Sequence, residues 1–85
     1  MKISIGQIVY SKSGRDAGRK LVVVGIIDKD YVEVADGRLR KISNPKKKKI
    51  KHLKITETVL EKIEKRMNDK NKLSDAEINK VLKLF

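Results

Sequence analysis

Residues 20–27 read KLVVVGII. The stretch is almost continuously apolar and β-branched, which is the pattern of a strand buried on both faces. Its apolar part, Leu21 to Ile27, is the longest such run in the chain. At seven residues it is far too short to span a bilayer. Short strand-like segments surround it. QIVYS at 7–11 precedes it, the turn sequence DKD at 28–30 ends it, and YVEVA at 31–35 supplies a partner strand. Gly25 marks a bend or a close backbone approach, as at the corner of a small barrel. Asp36-Gly37 signals a two-residue hairpin, because such turns need a positive φ that this dipeptide tolerates. LRKIS at 39–43 then reads as a strand, Asn44-Pro45 interrupts pairing, and IKHLKIT at 50–56 closes the set. The fold class expected is mainly β: a small, strongly bent barrel of about five strands.

From residue 56 the periodicity turns helical. Val59, Leu60, Ile63 and Met67 fall on one stripe, with Glu61, Lys62, Glu64 and Lys65 on the opposite side. DKNK at 69–72 breaks that pattern. Ser74-Asp75-Ala76-Glu77 then forms a capping box, and Ile78, Val81, Leu82 and Phe85 make a second stripe. The chain therefore divides into a barrel over 1–55 and a C-terminal helical hairpin over 56–85. Folding back onto the barrel would bury the hairpin's stripes, and a chain of 85 residues gains from any added core.

Charge is distributed along the same division. The net charge is +11, and residues 1–55 account for +10 of it with 15 lysines and arginines against five acids. Residues 38–54 carry nine cations and no acid: Arg38, Arg40, Lys41, Lys46, Lys47, Lys48, Lys49, Lys51 and Lys54. A field of this kind is self-repelling unless an anionic partner offsets it, and nucleic acid is the commonest such partner. An anionic membrane surface fits less well, since the run lacks the broad apolar face of an interfacial helix. Lysines are point charges suited to phosphate rather than to base edges. His52, among these cations, reads as a surface or packing residue that can also stack on a base.

A second basic element lies at 13–20, SGRDAGRK. It is not a Walker loop: three residues rather than four separate the glycines, Leu21 follows Lys20, and a strand rather than a helix comes next. The plain reading is a turn in which Gly14 and Gly18 permit unusual φ. The functional reading adds that Lys12, Arg15, Arg19 and Lys20 ride on or beside a loop able to approach a phosphate backbone. Taken together, GQIVYSKSGRDAGRKLVVVGIIDKDYVEVADG resembles a KOW motif, with Gly6, Ser13, Gly14, Gly18 and Arg19 and the apolar run as its anchors. That family includes ribosomal proteins and NusG-type elongation factors. Where many members carry a further glycine beyond Gly18, this chain has Leu21. It is thus more similar to the large-subunit ribosomal branch of archaea and eukaryotes, and to small stand-alone bacterial KOW proteins, than to NusG. The resemblance covers roughly residues 5–55 and implies an SH3-like barrel and RNA binding, with ribosomal RNA, and ribosomal or transcription proteins, as partners.

Other chemistries find no support. One histidine and no cysteine leave no zinc set. Asp28, Asp30 and Asp36 do not meet the EF-hand spacing, since Val32 and Glu33 stand at its fifth and sixth positions. No nucleophile–base pair is discernible, so the chain is read as a non-enzyme without cofactor or metal. The N-terminal stretch lacks an apolar run of signal-peptide length, and the expectation is a cytoplasmic protein, monomeric when free. Two functions remain: a binder of structured RNA acting through Lys12, Gly14, Arg15, Gly18, Arg19, Lys20 and the nine cations of 38–54, or a protein-interaction adaptor using the barrel and the hairpin. The confinement of charge to the barrel half favours the first.

Overall fold

The computed structural model describes residues 3–12, 14–60 and 74–84. Five antiparallel strands form one sheet: β1 (Gln7–Ser11), β2 (Lys20–Ile26), β3 (Tyr31–Ala35), β4 (Lys46–Lys49) and β5 (Leu53–Val59). Their order is β4-β3-β2-β1-β5, so the chain meanders outward from β1 to β4 and then returns to pair β5 with β1. A single described helix, α1 (Asp75–Leu82), follows. The fold is the expected small SH3-like barrel, mainly β.

β2 is the centre of the sheet and is covered on both faces from Leu21 to Val24, while Ile26 and Ile27 at the end of the apolar run are exposed. Val22 and Val24 join Ile8 and Ala35 in a cluster completed by Ile78 and Leu82 of α1. Leu21 and Val23 point the other way, into a second cluster with Val9, Val32, Val34 and Leu53. At about 1.5–3 kcal/mol for each large side chain buried, these two layers dominate the favourable side of folding. The pairing of β2 with β3 shifts register between Val23 and Gly25, an irregularity at the glycine expected to mark a bend or close approach. A Cβ on Gly25 would come within 2.7 Å of the Glu33 carboxylate.

Two strands lie elsewhere than the sequence suggests. LRKIS is not a strand, because the turn after β3 consumes the donors a ladder would need. Asp36 Oδ1 accepts from the Arg38 and Arg40 amides at 2.8 and 2.9 Å. The Asp36 and Gly37 amides both donate to the Arg40 carbonyl, at 2.9 and 3.2 Å. The Ile42 amide donates to Asp75 Oδ1 of α1 at 2.7 Å. The tight two-residue hairpin at Asp36-Gly37 therefore becomes a long connection, and β3 pairs instead with the lysine run. Val34 stands opposite Lys46, Glu33 opposite Lys47, Val32 opposite Lys48 and Tyr31 opposite Lys49. Downstream, Ile50–His52 form one 3-10 turn, and β5 runs on to Val59. Val59 and Leu60 do not open a helix: the Leu60 amide donates to the Gly6 carbonyl at 2.8 Å, and Leu60 packs on the helix-side core. The rest of the first expected helical stripe, Ile63 and Met67, lies outside the described residues.

α1 begins where the capping box places it. Ser74 Oγ accepts from the Glu77 amide at 3.3 Å, and Asp75 and Glu77 occupy the first turn, where the helix dipole favours acids. Its apolar residues Ile78 and Leu82 face the sheet, so α1 caps the barrel. Gly37 makes this docking possible. Its φ is +77°, and a Cβ there would collide with the Asp75 carbonyl oxygen. Among the described residues no helix is long and apolar enough to cross a membrane.

Candidate nucleic-acid interface

The loop between β1 and β2 is pinched at its base. The Gly18 amide donates to the Ser11 carbonyl at 2.8 Å, and the Ser11 amide donates to the Arg19 carbonyl at 3.1 Å. Gly18 achieves this with a φ of +82°, in the left-handed region that side chains with a Cβ resist. A Cβ at Gly14 or Gly18 would meet nothing within 4 Å, so the loop backbone stands in open space. Arg15 is exposed on it.

The other two cations of this segment are engaged within the molecule. Arg19 Nη1 donates to Asp36 Oδ2 at 3.2 Å, tying the loop to the turn after β3. Burial, the largest single influence on the Asp36 carboxyl, pushes its pKa up. The hydrogen bonds from the Arg40 and Arg38 amides and the hydrogen bond and charge of Arg19 together outweigh it, and hold the group below the usual carboxylate range. Lys20 Nζ donates to the Leu82 carbonyl at 2.8 Å, satisfying the end of α1. A shallow cleft of about 250 Å³ between these elements includes Arg19, Lys20, Asp36 and Arg38 in its walls.

The cations of 38–54 divide by position. Arg38 and Lys41 are exposed on the turn after β3, and Arg40 is half-buried in it. Along β4 the pleat alternates. Lys46 and Lys48 stand opposite the core residues Val34 and Val32. Lys48 Nζ donates to Ser11 Oγ of β1 at 3.3 Å, reaching across from one edge of the sheet. Lys47 and Lys49 share the other face with Tyr31, with their ammonium groups 4.6 and 5.9 Å from its ring centroid. On β5 the exposed Lys54 stands opposite Tyr10, which on its other side is paired with Lys20.

A second cleft, of about 320 Å³, opens where the loop after β1, the β2–β3 turn and the 3-10 turn converge. Lys12, Lys29, Lys49 and Lys51 line it together with Asp30, Ile50 and Leu53. Lys12, Lys49 and Lys51 carry the charge pattern that marks an anion site in the sequence. Lys29 does not stand out there, since it sits between two turn-forming acids, and only the meeting of the β2–β3 turn with the 3-10 turn brings it in. His52 is exposed beside this cleft, and its carbonyl accepts from the Lys12 amide at 2.8 Å.

What this surface can do is set by its chemistry: many lysines and arginines presented by a rigid small barrel, with no cluster of His, Asp and Glu among the described residues suited to a metal ion. No family model matches the chain. Curated relatives do. The large ribosomal subunit protein eL14 of Pyrobaculum calidifontis is 32% identical over 80 residues, covering 94% of this chain and 71% of that protein. Its counterpart in Pyrobaculum aerophilum is 35% identical over 81 residues with the same coverage. The one in Desulfurococcus amylolyticus is 40% identical over 55 residues, 65% of this chain and 57% of that protein. These relatives are all large-subunit ribosomal proteins, and the expected likeness to stand-alone bacterial proteins finds no support among them. With matches that run through nearly the whole chain and cover more than two thirds of the Pyrobaculum proteins, the chain belongs to the large ribosomal subunit protein eL14 family.

Proposed function

We propose that this protein is an RNA-binding, non-enzymatic component of the large ribosomal subunit, and so acts in the cytoplasm as part of the ribosome, against ribosomal RNA and neighbouring ribosomal proteins. Family membership supports the setting, and the net charge of +10 over residues 1–55 carries the chemistry. The exposed cations Lys12, Arg15, Arg38, Lys41, Lys46, Lys47, Lys51 and Lys54 supply phosphate contacts, joined by the half-buried Lys49, while the open backbone at Gly14 and Gly18 lets the loop approach the RNA strand. Arg19, Lys20 and Lys48 act mainly by holding these elements in place, and Arg40 is half-buried in the turn. An adaptor role has less support, since the apolar residues Ile78 and Leu82 that a partner would use are buried against the barrel.

The test is a salt titration with structured ribosomal RNA. If about five to eight phosphates are contacted, log K falls with log salt at a slope of roughly −4 to −7. A flat response would show that charge does not drive association.

A further inference from the structure

Resting on the RNA-binding reading, we propose that the lysine cleft seats a single unpaired nucleotide of the RNA, with its phosphate at the ammonium groups and its base against the apolar floor. Four chain segments build the cleft: Lys12 after β1, Lys29 and Asp30 in the β2–β3 turn, Lys49 at the end of β4, and Ile50, Lys51 and Leu53 at the 3-10 turn and the start of β5. Their backbones are tied to one another. The Ile50 amide donates to the Asp30 carbonyl at 2.8 Å, and the Lys12 amide donates to the His52 carbonyl at 2.8 Å. Asp28 Oδ1 accepts from the Asp30 and Tyr31 amides at 2.8 and 2.9 Å, which fixes the turn carrying Lys29. A cleft held in this way needs little rearrangement to bind.

Size and lining select the ligand. About 320 Å³ is at the lower end of small-ligand sites, enough for one nucleotide and far too little for a duplex. Four lysines alone would suit any polyanion. The apolar floor of Ile50 and Leu53 suits a flat base, and the Asp30 carboxylate can accept from a base amino group or a ribose 2′-hydroxyl. The same carboxylate repels the repeated carboxylates of an acidic protein segment. An extruded nucleotide offers the needed combination of one anion, one apolar face and hydrogen-bond donors.

The experiment uses the full chain and two RNA hairpins of equal length and charge, one with a fully paired stem and one with a single bulged nucleotide. At fixed salt, wild type should favour the bulged hairpin by about tenfold, about 1.4 kcal/mol. Lys12 and Lys51 are exposed, so Lys12→Ala with Lys51→Ala leaves the core intact. That variant should bring the ratio close to one and reduce the salt slope by about two. Lys80→Ala with Lys83→Ala removes equal charge from the α1 region and should keep the preference. If both hairpins bind but wild type shows no preference, or the Lys12/Lys51 variant retains it, the nucleotide seat is overturned while RNA binding stands. If a polyglutamate peptide displaces the bulged hairpin selectively, the cleft is an acidic-protein site and the proposal fails. If neither hairpin binds at low salt, the RNA reading itself falls.

Discussion

Asp36 joins two parts of the fold with one carboxylate: its own turn through the Arg38 and Arg40 amides, and the basic loop through Arg19. Its pKa lies below the ordinary value, so the native state binds fewer protons here than the unfolded chain. The resulting stabilisation is fully present above the unfolded carboxylate pKa of about 4 and is lost as pH falls through the lower native value. Asp36→Asn should therefore melt below wild type at pH 6, with the gap closing as both are taken to progressively lower pH, since a protonated Asp resembles Asn. A gap that stays constant with pH would mean the charge is irrelevant. Two glycines test space against conformation. Gly18→Ala places a Cβ in open solvent, so it costs only the left-handed φ, about 1–2 kcal/mol. Gly37→Ala adds a collision with the backbone of α1 and should shift the denaturation midpoint by clearly more. Equal shifts would show that α1 yields at no cost.

At the scale of elements, β4 is the unexpected strand. It lies at one end of the strand order, and an unpaired edge is a template for association that lysines suppress. The run Lys46–Lys49 thus serves the fold as well as the charge. Replacing all four by Thr keeps strand propensity while removing four cations. The salt slope with RNA should drop by about two to four, and light scattering should reveal increased self-association. A wild-type slope would show that none of the four touches phosphate.

For the whole molecule, the lysine cleft of the proposed reading lies apart from the core contacts of α1. α1 covers the outer face of the sheet through Ile78 and Leu82, and no α1 residue lines the lysine cleft. Ile78→Ala should cost about 2–5 kcal/mol, the range for a buried large-to-small change. Measured below its melting temperature, the variant should bind RNA within about twofold of wild type, a difference worth less than 0.5 kcal/mol. A large loss of affinity in a folded variant would show that α1 takes part in the interface.

The sequence by itself determined what local chemistry decides. The buried β2, the limits of β1 and β3, the close approach at Gly25 and the Ser74 cap all follow from side-chain periodicity and backbone preference within a few residues. The charge division between the two halves is equally local information. Tertiary structure decided what depends on competition between distant groups. Whether 39–43 or 46–49 pairs with β3 turned on the Asp36 carboxylate and on Asp75, 33 residues beyond Ile42, taking the amides of the first segment. Whether Arg19 and Lys20 face a ligand or hold the fold turned on where Asp36 and the end of α1 came to lie. Lys29 joined the cleft because a backbone hydrogen bond from Ile50 brought two turns together. Like charges look alike along a chain, and only the positions of their partners in space assign each to structure or to binding.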